Sequence, residues 1–291
     1  MDVSVVVLPD RPYPEIVAAA QTAEAPGART VWTYDHLAWR DLADGPWLGM
    51  VPLLAALSRD TTSVRLGPLV TSPNFRHPVT LAKDAMSIDV LSGGRLDLGI
   101  GGGGIGVDAT VLGGEVLPPP ERVARLSEFV DLLDALLREP AGVTVHGDRY
   151  TAIDARMLPG CVQRPRAPFT IAASGPKALA VVARHGQGWV TVGPLTDVDR
   201  ETWLETVAAQ GRALDAACTA LGRDPSNVRR IALVSLEQAW ATASLDAYDD
   251  LVARLGGSGF DEIAVHWPRP WEGRGVPDDL IVPVLQRHAH G

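Results

Sequence analysis

Four short stretches carry side chains that could do chemistry. In Tyr34-Asp35-His36-Leu37 a carboxylate precedes a histidine, and Trp39 and Arg40 follow. Histidine exchanges its proton near neutral pH, so His36, which follows the carboxylate of Asp35, can serve as a general acid or base. A purely structural hydrogen-bonding role is the alternative. In Thr71-Ser72-Pro73-Asn74-Phe75-Arg76-His77, Arg76 offers a planar fork for phosphate or carboxylate; the alternative is a capped loop with an exposed arginine. Leu98–Gly106 reads LGIGGGGIG, and Gly99, Gly101 and Gly104 match the dinucleotide fingerprint GxGxxG. In Ser174-Gly175-Pro176-Lys177-Ala178 the N–H groups of a helix start stand beside a cation, the makings of an anion site. Pro176 has no donor, so Gly175, Lys177 and Ala178 must supply it. Ser174 as a simple N-cap is the competing reading. Lys177 is conspicuous because Lys83 is the only other lysine.

These stretches need positioning, and the hydrophobic pattern says by what. Apolar runs at Val3–Leu8, Thr30–Tyr34, Ser63–Val70, Arg95–Ile100, Phe169–Ala173, Gly188–Val192, Val228–Leu236 and Phe260–His266 read as strands buried on both faces. Helices are expected over Tyr13–Ala25, Trp47–Arg59, Pro78–Leu91, Glu121–Arg138, Ala178–His185, Asp197–Leu221, Leu245–Leu255 and Asp278–His290. One interruption follows the fourth helix. Val143–His146 and Arg149–Ala152 flank Gly147-Asp148, a hairpin signal, and a Pro- and Arg-rich connector runs on to Pro168. Alternating strand and helix demands a parallel sheet. Eight such units in 291 residues match the TIM (β/α)8 barrel in count and size. An open doubly wound sheet is the alternative.

That frame reassigns the glycines. A Rossmann fingerprint opens the first βα unit, and its third glycine lies in a helix. Here three units come first, and Gly106–Pro120 contains Gly113-Gly114 and Pro118-Pro119-Pro120 rather than a helix pattern. The run is therefore a rim loop after the fourth strand, either a long turn or a place where ligand meets backbone. All four stretches fall just after strands, on the rim where barrel enzymes keep their sites.

Composition narrows the partners. A formal net charge of −9 argues against nucleic acid. No apolar run is long enough to cross a membrane. MDVSVVVLPD has no basic start, so no secretory signal is expected, and two cysteines imply no disulfide framework. A cytoplasmic protein is the expectation. Cys161 and Cys218 read as inert packing residues. No His/Asp/Glu spacing suits a metal, and none is expected. Trp39, Trp47, Trp267 and Trp271 are candidate pocket aromatics, whereas Trp32 suits barrel core.

The ordered set YDHL, RLGPLVTSPNFRHPVTLAKDAMSIDVLSGGRLDLGIGGG, ERVARLSEFVDLLDALL and AASGPKALAVVARHGQGWV resembles the bacterial-luciferase-like flavin and deazaflavin oxidoreductases. The resemblance covers nearly the whole chain and implies one domain over 1–291, a TIM barrel with an insertion at about 140–168. It implies a cofactor, coenzyme F-420 or FMN, at the C-terminal mouth. The phosphate would lie near Gly101, Gly102, Gly103 and Gly104 and near Ser174, Gly175, Lys177 and Ala178. A non-proline cis peptide is implied at Leu69–Val70, with Pro68–Leu69 as the other position, and Thr71 joins them as a cofactor contact. Catalysis would rest on His36 and Asp35. Trp39, Arg76 and Trp267 are candidates for substrate or phosphate.

Three activities are consistent with this. The first is F-420-dependent hydride transfer to or from a small organic substrate, since Asp35-His36 resembles a motif of that branch. The second is reduced-FMN monooxygenation with O2, in which a flavin reductase would be a partner. The third is flavin binding without turnover. The anionic F-420 tail would want a basic groove, for which Arg76, Arg122 and Arg125 are candidates in this acidic chain. Relatives often dimerise, so a homodimer is expected. The chain departs from the family in two places. Gly103–Pro120 lacks the acidic-aromatic pattern of many relatives, and Gly186-Gln187-Gly188 stands where Gly-Asp-Gly is usual.

Overall fold

The computed structural model describes residues 1–194, 196, 198–269 and 274–287. Its strands and helices alternate from the first residues: β1 (Asp2–Val6), α1 (Tyr13–Glu24), β2 (Thr30–Thr33), α2 (Met50–Asp60), β3 (Arg65–Pro68), α3 (Pro78–Leu91), β4 (Leu98–Ile100) and α4 (Pro119–Arg138). The antiparallel hairpin β5 (Val143–His146) and β6 (Thr151–Ala155) interrupts the alternation. It then resumes with β7 (Phe169–Ala172), α5 (Pro176–His185), β8 (Gly188–Thr191), α6 (Arg200–Ala220), β9 (Arg229–Leu233), α7 (Leu245–Gly257), β10 (Glu262–His266) and α8 (Asp278–Gln286).

The eight strands outside the hairpin form one parallel sheet in the order β3-β2-β1-β10-β9-β8-β7-β4. Each strand therefore lies beside the next barrel strand in the chain. An open doubly wound sheet would reverse its order at a switch point, and this sheet does not. Its two ends meet: Leu66 bridges Leu96 and Thr71 bridges Ile100, both parallel. Glycine makes that seam possible. A Cβ on Gly67 would run into the Asp97 carbonyl, and one on Gly99 into the Pro68 carbonyl. The architecture is the expected TIM barrel, with the hairpin inserted after the fourth barrel helix.

Two apolar layers result. Val6, Leu8, Trp32, Tyr34, Leu69, Val190, Ile231, Leu233 and Ala264 fill the barrel interior. A larger cluster lies between barrel and helices, including Ile16, Leu54, Leu81, Phe129, Leu133 and Trp203. Trp32 is fully buried in the inner layer, as its run predicts. The other end of the barrel is polar. Buried Asp97 and Glu262 face Arg229, which donates to Asp97 at 2.7 Å and lies 3.0 Å from Glu262.

Element ends differ from the sequence reading for local reasons. α4 begins two residues early, at Pro119, because proline suits a first helical turn. α6 begins at Arg200, capped by Asp199, whose carboxylate accepts from the Thr202 N–H at 3.0 Å. The last residues of the expected closing helix, 288–290, lie outside the described residues. Cys161 and Cys218 are buried and free. No described helix is long and apolar enough to cross a membrane.

One polar cluster joins α4 to α5. His185 Nε2 lies 2.6 Å from Asp131, and Nδ1 lies 3.8 Å from Asp134. The hydrogen bond to Asp131, then that to Asp134, raises the His185 pKa above its ordinary value. A raised histidine stabilises the fold fully below its unfolded value of about 6.5, and that stability is lost as pH rises through the folded value. The melting temperature should therefore fall as pH rises above about 6.5. In His185→Ala that fall should shrink. An identical pH profile in both proteins would show that the cluster contributes nothing.

Candidate active site at the barrel mouth

The C-terminal ends of the strands enclose a cavity of about 360 Å³, inside the range of small-molecule sites. Tyr34, His36 and Trp39 reach it from the end of β2, Leu69, Val70 and Ser72 from β3, and Gly101–Gly104 from β4. Ala172–Ser174 follow β7, Val190–Gly193 belong to β8 and its loop, and Leu233 ends β9. The Leu69–Val70 peptide is cis, at the first of the two positions the resemblance implies. Val70 presses on β4 so closely that a Cβ on Gly101 would lie 2.5 Å from Val70 Cγ2.

Asp35 and His36 are adjacent in sequence and turn to different partners. Asp35 is buried. It accepts from Thr71 Oγ1 at 2.6 Å and takes both arms of the Arg76 fork, Nε at 3.0 Å and Nη2 at 2.7 Å. Asp35 turns away from His36 and clasps the end of β2 to the loop after β3. Buried Thr71 gives its hydroxyl to that clasp, and Arg76 is committed to Asp35 rather than presented to phosphate.

The carboxylate that serves His36 is Asp108, 72 residues away in the β4–α4 loop. Its Oδ2 lies 2.5 Å from His36 Nδ1, and its Oδ1 accepts from the Leu37 N–H at 2.8 Å. An ionised carboxylate only accepts, so Nδ1 carries the proton and Nε2 is left for a ligand. The imidazole stacks on Trp39 at 6.0 Å, with Tyr34 edge-on at 5.9 Å. His36 thus has a fixed ring plane and a fixed tautomer, the conditions for directed proton transfer. No local pattern marks Asp108. It lies in the loop that departs from the family.

The glycine loop is braced from outside. Arg122 donates to the Gly103 carbonyl at 3.0 Å, and Arg125 donates to Asn74 Oδ1 at 2.5 Å. Gly103 has φ +80°, and a Cβ there would overlap the Asn74 carboxamide. Gly104 has open space in that direction. Across the mouth, Gly175 is the N-cap of α5, with no side-chain cap, so Ser174 is not the cap. Ser174 lines the cavity. Gly175, Lys177 and Ala178 form the next turn outward, with Lys177 exposed and Ala178 buried. The free N–H groups of that first turn remain suited to an anion.

A smaller cavity of about 170 Å³ adjoins the first. It shares Tyr34, Trp39, Arg40 and Val192 and adds Ser235–Gln238. Arg40 crosses to Glu237 at 2.7 Å. Below both cavities the Tyr34 hydroxyl meets His266 Nε2 at 2.9 Å, and His266 Nδ1 meets the Val234 carbonyl at 3.0 Å. The carbonyl accepts, so Nδ1 holds the proton and Tyr34 donates to Nε2. Burial pushes His266 down to about 4, which keeps it neutral at pH 7. The sequence places Tyr34 in the first stretch and His266 at a strand end, and pairs neither with the other.

Trp39 lines both cavities, and Trp47 lies 5.9 Å from it. Trp267 is corrected: it packs against the outer core and borders neither cavity. One residue past the end of β10, it faces the helices. Trp271 lies outside the described residues. Among the described residues no group of His, Cys, Asp and Glu could hold a metal ion.

Comparison with known proteins places this geometry in context. A family model described as luciferase-like monooxygenase matches residues 1–268. The chain is 34% identical over 182 residues to an F420-dependent glucose-6-phosphate dehydrogenase of Amycolatopsis mediterranei, covering 60% of this chain and 52% of that protein. It is 34% identical over 216 residues to an F420-dependent hydroxymycolic acid dehydrogenase of Mycobacterium tuberculosis, covering 72% and 56%. The match thus spans little more than half the length of these relatives. In fold it is similar to an F420-dependent secondary alcohol dehydrogenase solved with an F420-acetone adduct. That likeness has a TM-score of 0.81 at 16% identity and covers 98% of this chain and 97% of the other.

The Asp35 clasp generates a prediction. Arg76→Met would leave a buried carboxylate without its cation, which should cost about 3 kcal/mol in urea unfolding. Adding Asp35→Asn should recover part of that loss. Equal stability of wild type and Arg76→Met would show that the clasp holds nothing.

Proposed function

Because the chain belongs to the luciferase-like monooxygenase family, we propose that it is an oxidoreductase whose mouth cavity holds a flavin-type cofactor. Coenzyme F-420 is the first choice, for hydride transfer to or from a small organic substrate. The observation that carries this reading is His36, fixed by Asp108 at the cavity that Leu69, Val70 and Gly101 also line. The walls fit such a group. Leu69, Val70, Ala172, Val190 and Leu233 give apolar faces for a flat ring, and Gly102–Gly104 and Ser174 give a polar rim.

When bound, the cofactor supplies the redox step, and the protein supplies position and protons. His36 Nε2 is the atom that gives a proton to the reacting oxygen or takes one from it. Asp108 holds the Nδ1 proton in place. The Tyr34–His266 pair closes the floor beneath. Asp35, Thr71 and Arg76 keep the ends of β2 and β3 in register. Phosphate would rest on the N–H groups at the start of α5, beside Lys177 and Ser174, and on the glycine loop.

The second reading is a reduced-FMN monooxygenase, for which a reductase would be the partner. One observation favours it. Arg76 is tied to Asp35, and Arg122 and Arg125 are tied to the glycine loop and Asn74. Lys177 is then the cation at the mouth best placed for phosphate, which suits FMN better than a polyanionic tail. A homodimer is the assembly we expect, read by light scattering.

Titration of the purified protein with F-420 and with oxidised and reduced FMN tests the assignment. Tight F-420 binding with weak FMN binding supports the first reading. Preference for reduced FMN with oxygen uptake supports the second, and binding of neither removes both. His36→Ala should lower kcat by about 10²- to 10⁴-fold and leave cofactor affinity unchanged. Full activity in that variant would remove His36 from the chemistry and return flavin binding without turnover as a candidate.

A further inference from the structure

The loop between β4 and α4 has its amphipathicity inverted. From Gly104 to Pro120 a single residue is buried, and it is a carboxylate, Asp108. Ile105 is 70% exposed and Leu112 69%, and Val107, Val111 and Val116 are also open to solvent. A loop folded for its own stability buries its aliphatic side chains and exposes its charge. This one does the reverse, so apolar packing does not hold it down.

Polar bonds hold it at one point. The hydrogen bonds among residues 106–113 are internal turns, such as Ala109 N–H to Gly106 and Gly113 N–H to Thr110. The bonds that leave the segment 105–117 run from Asp108 to His36 and to the Leu37 N–H. Both ends can pivot. Gly103 and Gly113 have φ +80°, and Gly104, Gly106 and Gly114 are neighbours.

We propose that residues 105–117 form a lid whose one clasp among the described residues is Asp108, and that Asp108 is a positioning residue for His36. With the lid docked, His36 has its carboxylate, its tautomer and its ring plane. With the lid lifted, it loses its carboxylate and its fixed tautomer, Trp39 and Tyr34 still orient the ring, and the mouth stands open over the glycine loop. Access to the site and readiness of its proton-handling group are thus one equilibrium. By linkage, whatever favours the docked lid orients His36, and loss of the His36 ring loosens the lid.

Hydrogen exchange on the purified protein without cofactor reads this directly. Asp108→Ala should raise exchange across 105–117 by about tenfold or more, the scale of a lost charge-assisted bond. His36→Ala should raise it in the same segment, although the change is made in another loop. β2 and α4 should be unaffected by either. Asp108→Asn keeps a carbonyl acceptor and should hold the lid near its wild-type protection. Unchanged exchange at 105–117 in His36→Ala would overturn the coupling. So would a rise spread over the whole barrel, which would make Asp108 a general stabiliser.

The kinetic arm rests on the function proposed above. Asp108→Ala should lower kcat with the cofactor Kd unchanged, and Asp108→Asn should restore part of it; equal kcat in all three would overturn the positioning role. If neither F-420 nor FMN binds, the assigned function fails while the exchange result still decides the lid.

Discussion

The mouth depends on how closely the third and fourth barrel strands approach one another. At Gly67 and Gly99 the facing carbonyls of Asp97 and Pro68 occupy the space a Cβ would need. Glycine alone permits that seam. Once closed, it joins β3 to β4 through Leu66 and Leu96 and through Thr71 and Ile100. It also brings Val70 against Gly101 and so shapes one wall of the cavity. The glycine run that imitates a dinucleotide fingerprint thus has separate causes at separate positions. Gly99 serves the seam, Gly101 accommodates Val70, and Gly103 takes a positive φ above Asn74. Gly104 has no such steric reason and faces open space.

Two carboxylates divide the labour around His36. Asp35 is covalently close and is turned away into a buried ion pair. Asp108 is distant in the chain and is close in space. A buried charge is costly unless it is paired, and Arg76 with Thr71 meets that cost for Asp35. Asp108 is served by His36 and a backbone N–H, so its burial depends on the loop staying docked. What pairs each aspartate thus sets whether its burial belongs to the barrel or to the loop.

The two mouth histidines show the same contrast. His266 is enclosed, held neutral by burial and hydrogen-bonded at both nitrogens. It props Tyr34 as a floor and offers no free nitrogen. His36 is bonded at Nδ1 and lines the cavity. Residue type is equal in the two cases, and environment sets the role.

Much of this was legible along the chain. Eight buried runs alternating with amphipathic helices, punctuated by Pro and Gly, gave the barrel units, because strand and helix periodicity are local properties. The hairpin insertion showed in Gly147-Asp148, and the rim stretches showed in their places after strands. The resemblance pointed to the cis peptide at Leu69–Val70. The sequence could not say that Asp35 belongs to Arg76, that Trp267 faces the helices, or that Tyr34 and His266 meet across the barrel. It gave no sign of Asp108. The partners in these contacts lie 41 residues apart for Asp35 and Arg76, 72 for His36 and Asp108 and 232 for Tyr34 and His266. Local pattern determines which segments become strands. Only closure of the ring decides which loop ends become neighbours, because strand adjacency in space is a property of the whole sheet.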